Sequence, residues 1–410
     1  MARRKARSTV AVVGGVYRER CVRPFWDEVF GSGGRAASAM ARMGTRVELH
    51  GYIDALNKEA VLARAVLEKF DFQPTMIGCS LSFDYYHGLD VPRISALDDL
   101  QRPLHVTAEN GVRFGMLEGD AIVHADRAVY DPQNVAFPVH FSANGSRAKS
   151  LALVLNRSEA AILAGMPKAA TAELASALRK QAAADVVIIK QGPLGAFVLE
   201  GRSRHQVPAY QSACVWKIGS GDTFVAQFAH RWLVEGRSAA ESADLASRAT
   251  AFYCETRGLA TPAQLAAFSP RPVTPSSRFK KGYRPVIYLA GPFFTLSNLW
   301  MIEQARMSLM SMGVGVFSPY HDVGHGSAED VVSKDLAAID DVDVMFAIGD
   351  GMDAGTIYEI GYARAKGKPV VVYCENETPE AKKMMQGSGC LLCDDFVSAV
   401  YQLLWIGCAV

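Results

Sequence analysis

The sequence contains no apolar run of the roughly 18 residues that a membrane-crossing helix needs, so no membrane partner is expected. It also lacks a cysteine framework. Eight cysteines are scattered along the chain, and only Cys390 and Cys393 form a C-x-x-C pair, without the second pair that a zinc site requires. Both stand in the apolar stretch GCLLCDDFVSAV and read as buried small residues, and cysteine usage of this kind fits a reducing, cytoplasmic compartment. Internal repeats are missing, and so is a strong net charge, which is +1 overall. That balance hides an asymmetry. Residues 284–410 hold 8 Lys/Arg against 16 Asp/Glu, a net of −8, and the remainder is net +9. Residues 1–7 contribute +4 and residues 269–283 another +4, so much of the positive excess sits in an end and a linker. An acidic second half argues against nucleic-acid polymers as partners. The basic start reads as a solvated, disordered end. The VAVVGG that follows is shorter than a signal-peptide core and reads as a first buried strand.

What is present is a long, core-forming chain. It has 410 residues, 50% of them hydrophobic and 21% charged, which suits two or three packed domains. The segment Ser269–Tyr283 is rich in Pro, Ser and basic residues, has no helix or strand periodicity, and reads as a linker between residues 8–268 and 284–410. On both sides apolar strands alternate with amphipathic helices, which predicts α/β domains with parallel sheets covered on both faces. In the first part, TVAVVGG leads to the glycine-rich GSGGRAASAMARMG, and short polar and aromatic pieces run to about Glu118. The second part reads as a small flavodoxin-like unit. Its strand ends LAGPFF, SPYHD and GDGMDAGT mark where a ligand binds in such a sheet.

Three acids converge in the second part. Asp353 lies in a loop after a central strand, Glu359 near the start of the next helix and Asp335 on the preceding helix. The T-x-x-E spacing of Thr356 and Glu359 is a capping-box pattern, with Thr356 at the N-cap. It is also compatible with chemistry: a carboxylate in a first helical turn is expected to stay ionised and can attack an anomeric carbon, while a second acid serves the leaving group. IYLAGPFF, SKDLAAIDDVDVMFAI and DAGTIYEIGYARAKGKPVVV together resemble the nucleoside 2-deoxyribosyltransferase family over roughly Val286–Tyr373. The resemblance implies Glu359 as the nucleophile that forms a glycosyl-enzyme ester. It also implies that Asp335 and Asp353 contact base or sugar, and that Tyr288 orients the nucleophile. Gly291, Gly355, Thr356 and His321 are the further substrate-site candidates, with the AGPFF turn open to a phosphate. No cofactor is implied for this part. His321, Asp322 and His325 on one loop lack a further ligand for a transition metal.

The first part carries IGSGDTF, a glycine-rich turn opening a helix. The N–H groups of Gly219, Ser220 and Gly221 can stabilise a transferring phosphoryl group, and Asp222 can take a hydroxyl proton; a plain helix cap is the competing reading. GSGGRAASAMARMG, YDPQN, LNRSEAAILAG, IIKQGPLGAFV and IGSGDTF occur in an order that resembles the PfkB-type, ribokinase-like carbohydrate kinases over roughly Thr9–Gly258. The resemblance implies ATP and Mg²⁺ as cofactors, Asp222 as catalytic base, and Asn156 and Glu159 as organisers of magnesium and phosphate. Asn156 and Glu159 also have capping-box spacing. The sugar-holding positions depart from that family. Where the family usually carries an acidic sugar-binding residue shortly after the first strand, the stretch here is GGVYRERC; Ser38 stands where an asparagine is usual, and Trp216 where an aspartate is usual.

The fused resemblances imply a bifunctional enzyme of nucleoside or nucleotide metabolism. The C-terminal part would cleave or exchange an N-glycosidic bond, and the N-terminal part would phosphorylate a sugar or nucleoside. The alternative is a catalytically weak, nucleotide-binding sensor or oligomerisation module that controls a nucleotide- or NAD-depleting N-glycosidase. Both families imply a homo-oligomer acting on small molecules.

Overall fold

The structure is a computed structural model describing residues 9–95, 99–134 and 136–410; the basic end expected at residues 1–7 lies outside the described residues. The chain divides into two compact units. One comprises the chain up to Ser212 with Trp216–Pro272, and the other comprises Ala213–Val215 with Val273–Val410.

The first unit runs β1 (Thr9–Val13), β2 (Arg18–Cys21), β3 (Trp26–Val29), α1 (Gly31–Arg42), β4 (Arg46–Ile53), α2 (Ala55–Glu68), β5 (Asp71–Met76), β6 (Ser82–Tyr85), β7 (Arg93–Ile94), β8 (Leu104–Phe114), β9 (Ala121–Asp131), β10 (Arg147–Asn156), α3 (Arg157–Leu163), α4 (Thr171–Gln181), β11 (Val186–Lys190), β12 (Ala196–Glu200), β13 (Ser203–Val207), α5 (Ser220–Ala229), α6 (Ala239–Thr256) and α7 (Pro262–Ala267). Nine strands form one sheet in the order β13-β12-β11-β10-β9-β8-β1-β4-β5. Alternation explains its burial. Val10, Val12, Ala152 and Val154 join a core shared with α1, α5 and α6, whereas Ala11, Val13, Leu153 and Leu155 join one shared with α3 and α4. Strands apolar on both faces are what a helix-covered parallel sheet requires. At one edge of the mainly parallel sheet, β12 and β13 pair antiparallel. A second sheet, β3-β2-β6-β7, arises from the short polar and aromatic pieces and from the RERC of β2.

The second unit runs α8 (Ser277–Lys280), β14 (Val286–Ala290), α9 (Leu296–Ser311), β15 (Gly315–Phe317), α10 (Ala328–Asp341), β16 (Val344–Ile348), α11 (Ala354–Ala365), β17 (Val370–Tyr373), α12 (Pro379–Gly387), β18 (Leu391–Cys393) and α13 (Phe396–Ala409). Its sheet is wholly parallel in the order β15-β14-β16-β17-β18. In strand number within the unit this is 2-1-3-4-5, with the order reversing between β14 and β16. Tyr288, Ala290, Met345 and Ala347 face α10 and α11, placing Asp335 and Glu359 over one side of that reversal. The segment read as a linker holds one helical turn, α8, capped where the Ser276 Oγ accepts from the Phe279 N–H at 3.2 Å. Cys390 is buried, Cys393 is half-buried and none of the eight cysteines is in a disulfide.

The glycine-rich opening of α1 is set by close backbone approach. Gly31 has φ +64°, and a Cβ there would lie 2.4 Å from the Gly15 carbonyl oxygen, whereas a Cβ on Gly34 would meet nothing within 4 Å. Gly31→Ala is therefore expected to lower stability by about 2 kcal/mol or more. Gly34→Ala is expected to raise it by up to ~1 kcal/mol through helix propensity. Urea denaturation of the two variants measures both.

Candidate active sites

In the second unit the N-cap of α11 is Asp353. Its Oδ2 accepts from the Thr356 N–H at 2.8 Å and from the Thr356 hydroxyl at 2.9 Å. Thr356 is therefore the third helical residue, and Glu359 sits in the second turn. This corrects the expectation of a Thr356 N-cap with Glu359 as its capping partner. The Glu359 carboxylate instead turns to the sheet, where its Oε1 accepts from the Tyr288 hydroxyl at 2.6 Å. Tyr288 is fully buried on β14, and its ring stacks on Phe317 at 5.5 Å.

The second expectation corrected is the charge state. The helix-end field fades beyond the first turn, and Glu359 lies past it. Burial pushes its carboxyl up to about 7; the Tyr288 hydrogen bond opposes this, and the Asp335 and Asp353 carboxylates reinforce it. Asp335, on α10, is half-buried, and its carboxyl is raised by burial. Its Oδ1 is shielded from water and has no hydrogen-bond partner among the described residues. An unpaired buried acceptor is unfavourable in isolation and marks a place where a ligand donor fits. Tyr288, Glu359, Asp335 and Asp353 thus form one electrostatically coupled group.

Gly291 directly follows β14 and packs tightly; a Cβ there would lie 2.8 Å from Ile302 Cδ1. Gly355 and Thr356 form the first turn of α11. His321 is engaged on both ring nitrogens, by Glu303 Oε1 at 2.5 Å and by the Ser318 Oγ at 3.0 Å. Among the described residues no group of three or more His, Cys, Asp or Glu is placed to hold a metal ion. Sequence reasoning missed an aromatic wall. Phe293 lies 5.5 Å from Tyr320, and Tyr320 lies 5.9 Å from His325, between ring centroids. The paired Phe and Tyr in LAGPFF and SPYHD were its only sequence signal.

In the first unit Gly219 is the N-cap of α5 with φ +75°, so Ser220, Gly221 and Asp222 occupy its first turn. Lys217 donates to the Ser220 Oγ at 2.9 Å, and burial depresses its ammonium. Lys190 donates to Asp131 Oδ2 at 2.5 Å. Burial raises the Asp131 carboxyl to about 7 against the pull of Lys190. Asn156 and Glu159 form a complete capping box. The Asn156 N–H donates to Glu159 Oε2 at 2.7 Å, and the Glu159 N–H donates to Asn156 Oδ1 at 2.9 Å. Asp222 accepts from Arg35 Nη1 at 2.9 Å and from Gln133 Nε2 at 2.5 Å. Arg35, Gln133, Asp131, Lys190 and Lys217 were not singled out from sequence, although each stands in or beside a quoted motif.

Comparison with known proteins agrees with both architectures. The model of the pfkB family carbohydrate kinases matches residues 145–266, and that of the nucleoside 2-deoxyribosyltransferases matches residues 287–392. None of the curated proteins matches the chain. Among solved structures, a double-mutant fructokinase from Vibrio cholerae O395, bound to fructose, ADP and potassium, superposes with a TM-score of 0.53 at 17% identity. The match covers 65% of this chain and 99% of that one. An apo putative ribokinase II from E. coli gives 0.50 at 15% identity, over 64% of this chain and 99% of that one. At such identities the likeness shows the fold, a ribokinase-like α/β unit. With the two family matches, the chain joins a PfkB-type domain to a nucleoside 2-deoxyribosyltransferase-type domain.

The raised Glu359 carboxyl has a thermodynamic consequence. Below pH 4.5 both folded and unfolded chains hold the proton. Between 4.5 and about 7 only the folded chain keeps it, and above 7 the buried group must ionise as well. Stability from this group is therefore full in acid and falls as pH rises to about 7. Glu359→Gln removes the fall. It is expected to stabilise the chain at pH 8 relative to pH 5 by roughly 2–3 kcal/mol, read as a pH-dependent difference in urea midpoint between variant and wild type.

Proposed function

We propose that the C-terminal unit cleaves or exchanges the N-glycosidic bond of a nucleoside or nucleotide. The observation that carries this reading is the Tyr288–Glu359 hydrogen bond at the point where strand order reverses, beside the unpartnered Oδ1 of Asp335. Glu359, as carboxylate, bonds to the anomeric carbon while the carbon–nitrogen bond breaks, its electron pair passing to the base. The base nitrogen takes a proton from solvent as it leaves, and Asp335, whose carboxyl is raised by burial, stands to hold the departing base. Water or a second base then attacks the ester and restores Glu359. Tyr288 holds the carboxylate toward the substrate, Asp353 fixes the turn, Gly291, Gly355 and Thr356 line the approach, and the aromatic wall of Phe293, Tyr320 and His325 suits the face of a nucleobase.

For the N-terminal unit we propose binding of ATP with Mg²⁺. The backbone N–H groups of Gly219 and Gly221 and the nearby Lys190 and Lys217 supply an anion-binding turn, whereas the Ser220 N–H donates to the Lys217 carbonyl at 3.1 Å. Asn156 and Glu159 are hard oxygen donors of the kind that hydrated Mg²⁺ takes, and the capping box engages Asn156 Oδ1 and one carboxylate oxygen of Glu159. Bound ATP would supply the transferable phosphate. A second reading, nucleotide binding without turnover, is favoured by one observation: both oxygens of Asp222 already accept side-chain hydrogen bonds.

Incubating the full chain with a panel of nucleosides, nucleotides and NAD, and separating released base by chromatography, tests the first proposal. At least one member is expected to lose its base, with Glu359→Gln lowering the rate at least about 10³-fold. Unchanged release by the folded variant would refute Glu359 as nucleophile. The rate should rise with pH up to about 7 and then level, as Glu359 ionises. Tyr288→Phe, which removes the donor that favours the carboxylate, should move that inflection to higher pH, and a profile that stays in place removes Tyr288 from the role.

A further inference from the structure

The phosphate end of the first unit keeps its glycine turn, but the side of Asp222 where an acceptor hydroxyl would stand is filled by the protein itself. Arg35, on α1, has no exposed surface. Its Nη1 donates to Asp222 Oδ2 at 2.9 Å and to Glu19 Oε1 at 2.9 Å; Nη2 donates to Glu19 Oε2, and Nε donates to the Tyr253 hydroxyl at 3.1 Å. The guanidinium also faces the Phe30 ring at 4.9 Å. A Cβ on Gly219 would lie 2.1 Å from Arg35 Nε, so the guanidinium rests directly on the turn that opens α5.

Each partner is held in turn. Glu19 is on β2 of the small sheet, where alternation sends Glu19 and Cys21 inward and leaves Arg18 and Arg20 to pair outside with Asp27 and Asp84. The remaining Asp222 oxygen, Oδ1, accepts from Gln133, whose backbone sits at φ +46°, a left-handed conformation that a non-glycine residue adopts only where surroundings hold it. The positions expected to hold a sugar are spent elsewhere. Trp216 packs against Trp26 at 5.2 Å and donates to the Tyr253 hydroxyl, and the buried Ser38 hydroxyl has no partner among the described residues.

A general base must hydrogen-bond the hydroxyl it deprotonates. Arg35 and Gln133 each take one acceptor site on Asp222, and Arg35 also lies on the turn that opens α5, so a hydroxyl would have to displace the guanidinium from that side; its departure would strand Glu19 as an uncompensated buried charge. We infer that Arg35, clamped by Glu19 and Asp222, is a built-in occupant of the acceptor side, so that the N-terminal unit binds a nucleoside triphosphate without passing its phosphate to a sugar or nucleoside. This rests on the nucleotide-binding reading above and names the residues that suppress turnover.

The test uses the full chain. Calorimetry with ATP and Mg²⁺ reports binding, and labelled ATP with a panel of sugars and nucleosides reports transfer. Wild type is expected to bind ATP and to label no acceptor above the level of Asp222→Asn. The double variant Glu19→Gln/Arg35→Met removes both charges together. It is expected to keep ATP binding and to gain about tenfold or more in phosphate release or transfer, a gain that Asp222→Asn in the same background abolishes. Absence of ATP binding defeats the nucleotide reading and this inference together. Asp222-dependent labelling by wild type, or a folded double variant without gain, defeats this inference alone. If the double variant does not fold, the wild-type panel decides.

Discussion

A carboxylate buried at the carboxyl end of a parallel sheet needs a hydrogen-bond donor, and the identity of that donor decides what each unit can do. In the C-terminal unit the donor to Glu359 is a neutral phenol, Tyr288, which engages one oxygen. In the N-terminal unit the donors to Asp222 are a guanidinium and an amide, and they engage both oxygens. A single neutral donor orients a carboxylate while leaving it open to react. Two donors, one of them an ion itself neutralised by Glu19, hold both oxygens in place. On the functions proposed above, the same topological solution serves an open site in one unit and an occupied one in the other.

Capping and chemistry compete at α3 and α11, where the sequence places a candidate site glutamate three residues after a cap-type residue. At Asn156 and Glu159 the capping box forms in full. At Thr356 and Glu359 it does not, because Asp353 stands three residues before Thr356 and takes the N-cap first. Moving the helix start by one turn frees Glu359 from backbone duty and removes it from the helix-end field. Burial and two neighbouring carboxylates then set its proton affinity, and the outcome is a group half-ionised near neutrality rather than one pinned as an anion.

The long apolar strands and their glycine-rich turns were legible, since a continuous apolar run between turn signals has few other uses, and both sheets follow from them. The small sheet was not. Its strands are four residues or fewer and polar on their outer face, and β2 reads RERC with no apolar alternation beyond Cys21. Asp353 and Glu359 were visible because one short motif holds them. The Glu19–Arg35–Asp222 triad was not, because its members lie 16 and 187 residues apart and meet only once β2 folds over α1. The helix register was misjudged for a local reason. Both D-x-x-T and T-x-x-E satisfy the cap pattern, and the short DAGT turn permits either start.

Fusion of two enzymes in one chain is usually explained by a shared compound, made at one site and consumed at the other. That explanation requires turnover at both. If Arg35 suppresses turnover at Asp222 as proposed, the link between the units is a binding equilibrium instead. A nucleotide that binds the folded N-terminal unit stabilises it by RT ln(1 + [L]/Kd), whatever happens to its phosphate. It alters chemistry at Glu359 only to the extent that its affinity differs between two states of the chain that themselves differ at Glu359. The quantity that distinguishes a fused sensor from a fused catalyst is therefore this difference in affinity, and reciprocity requires that a nucleoside held at Glu359 change ATP affinity by the same factor.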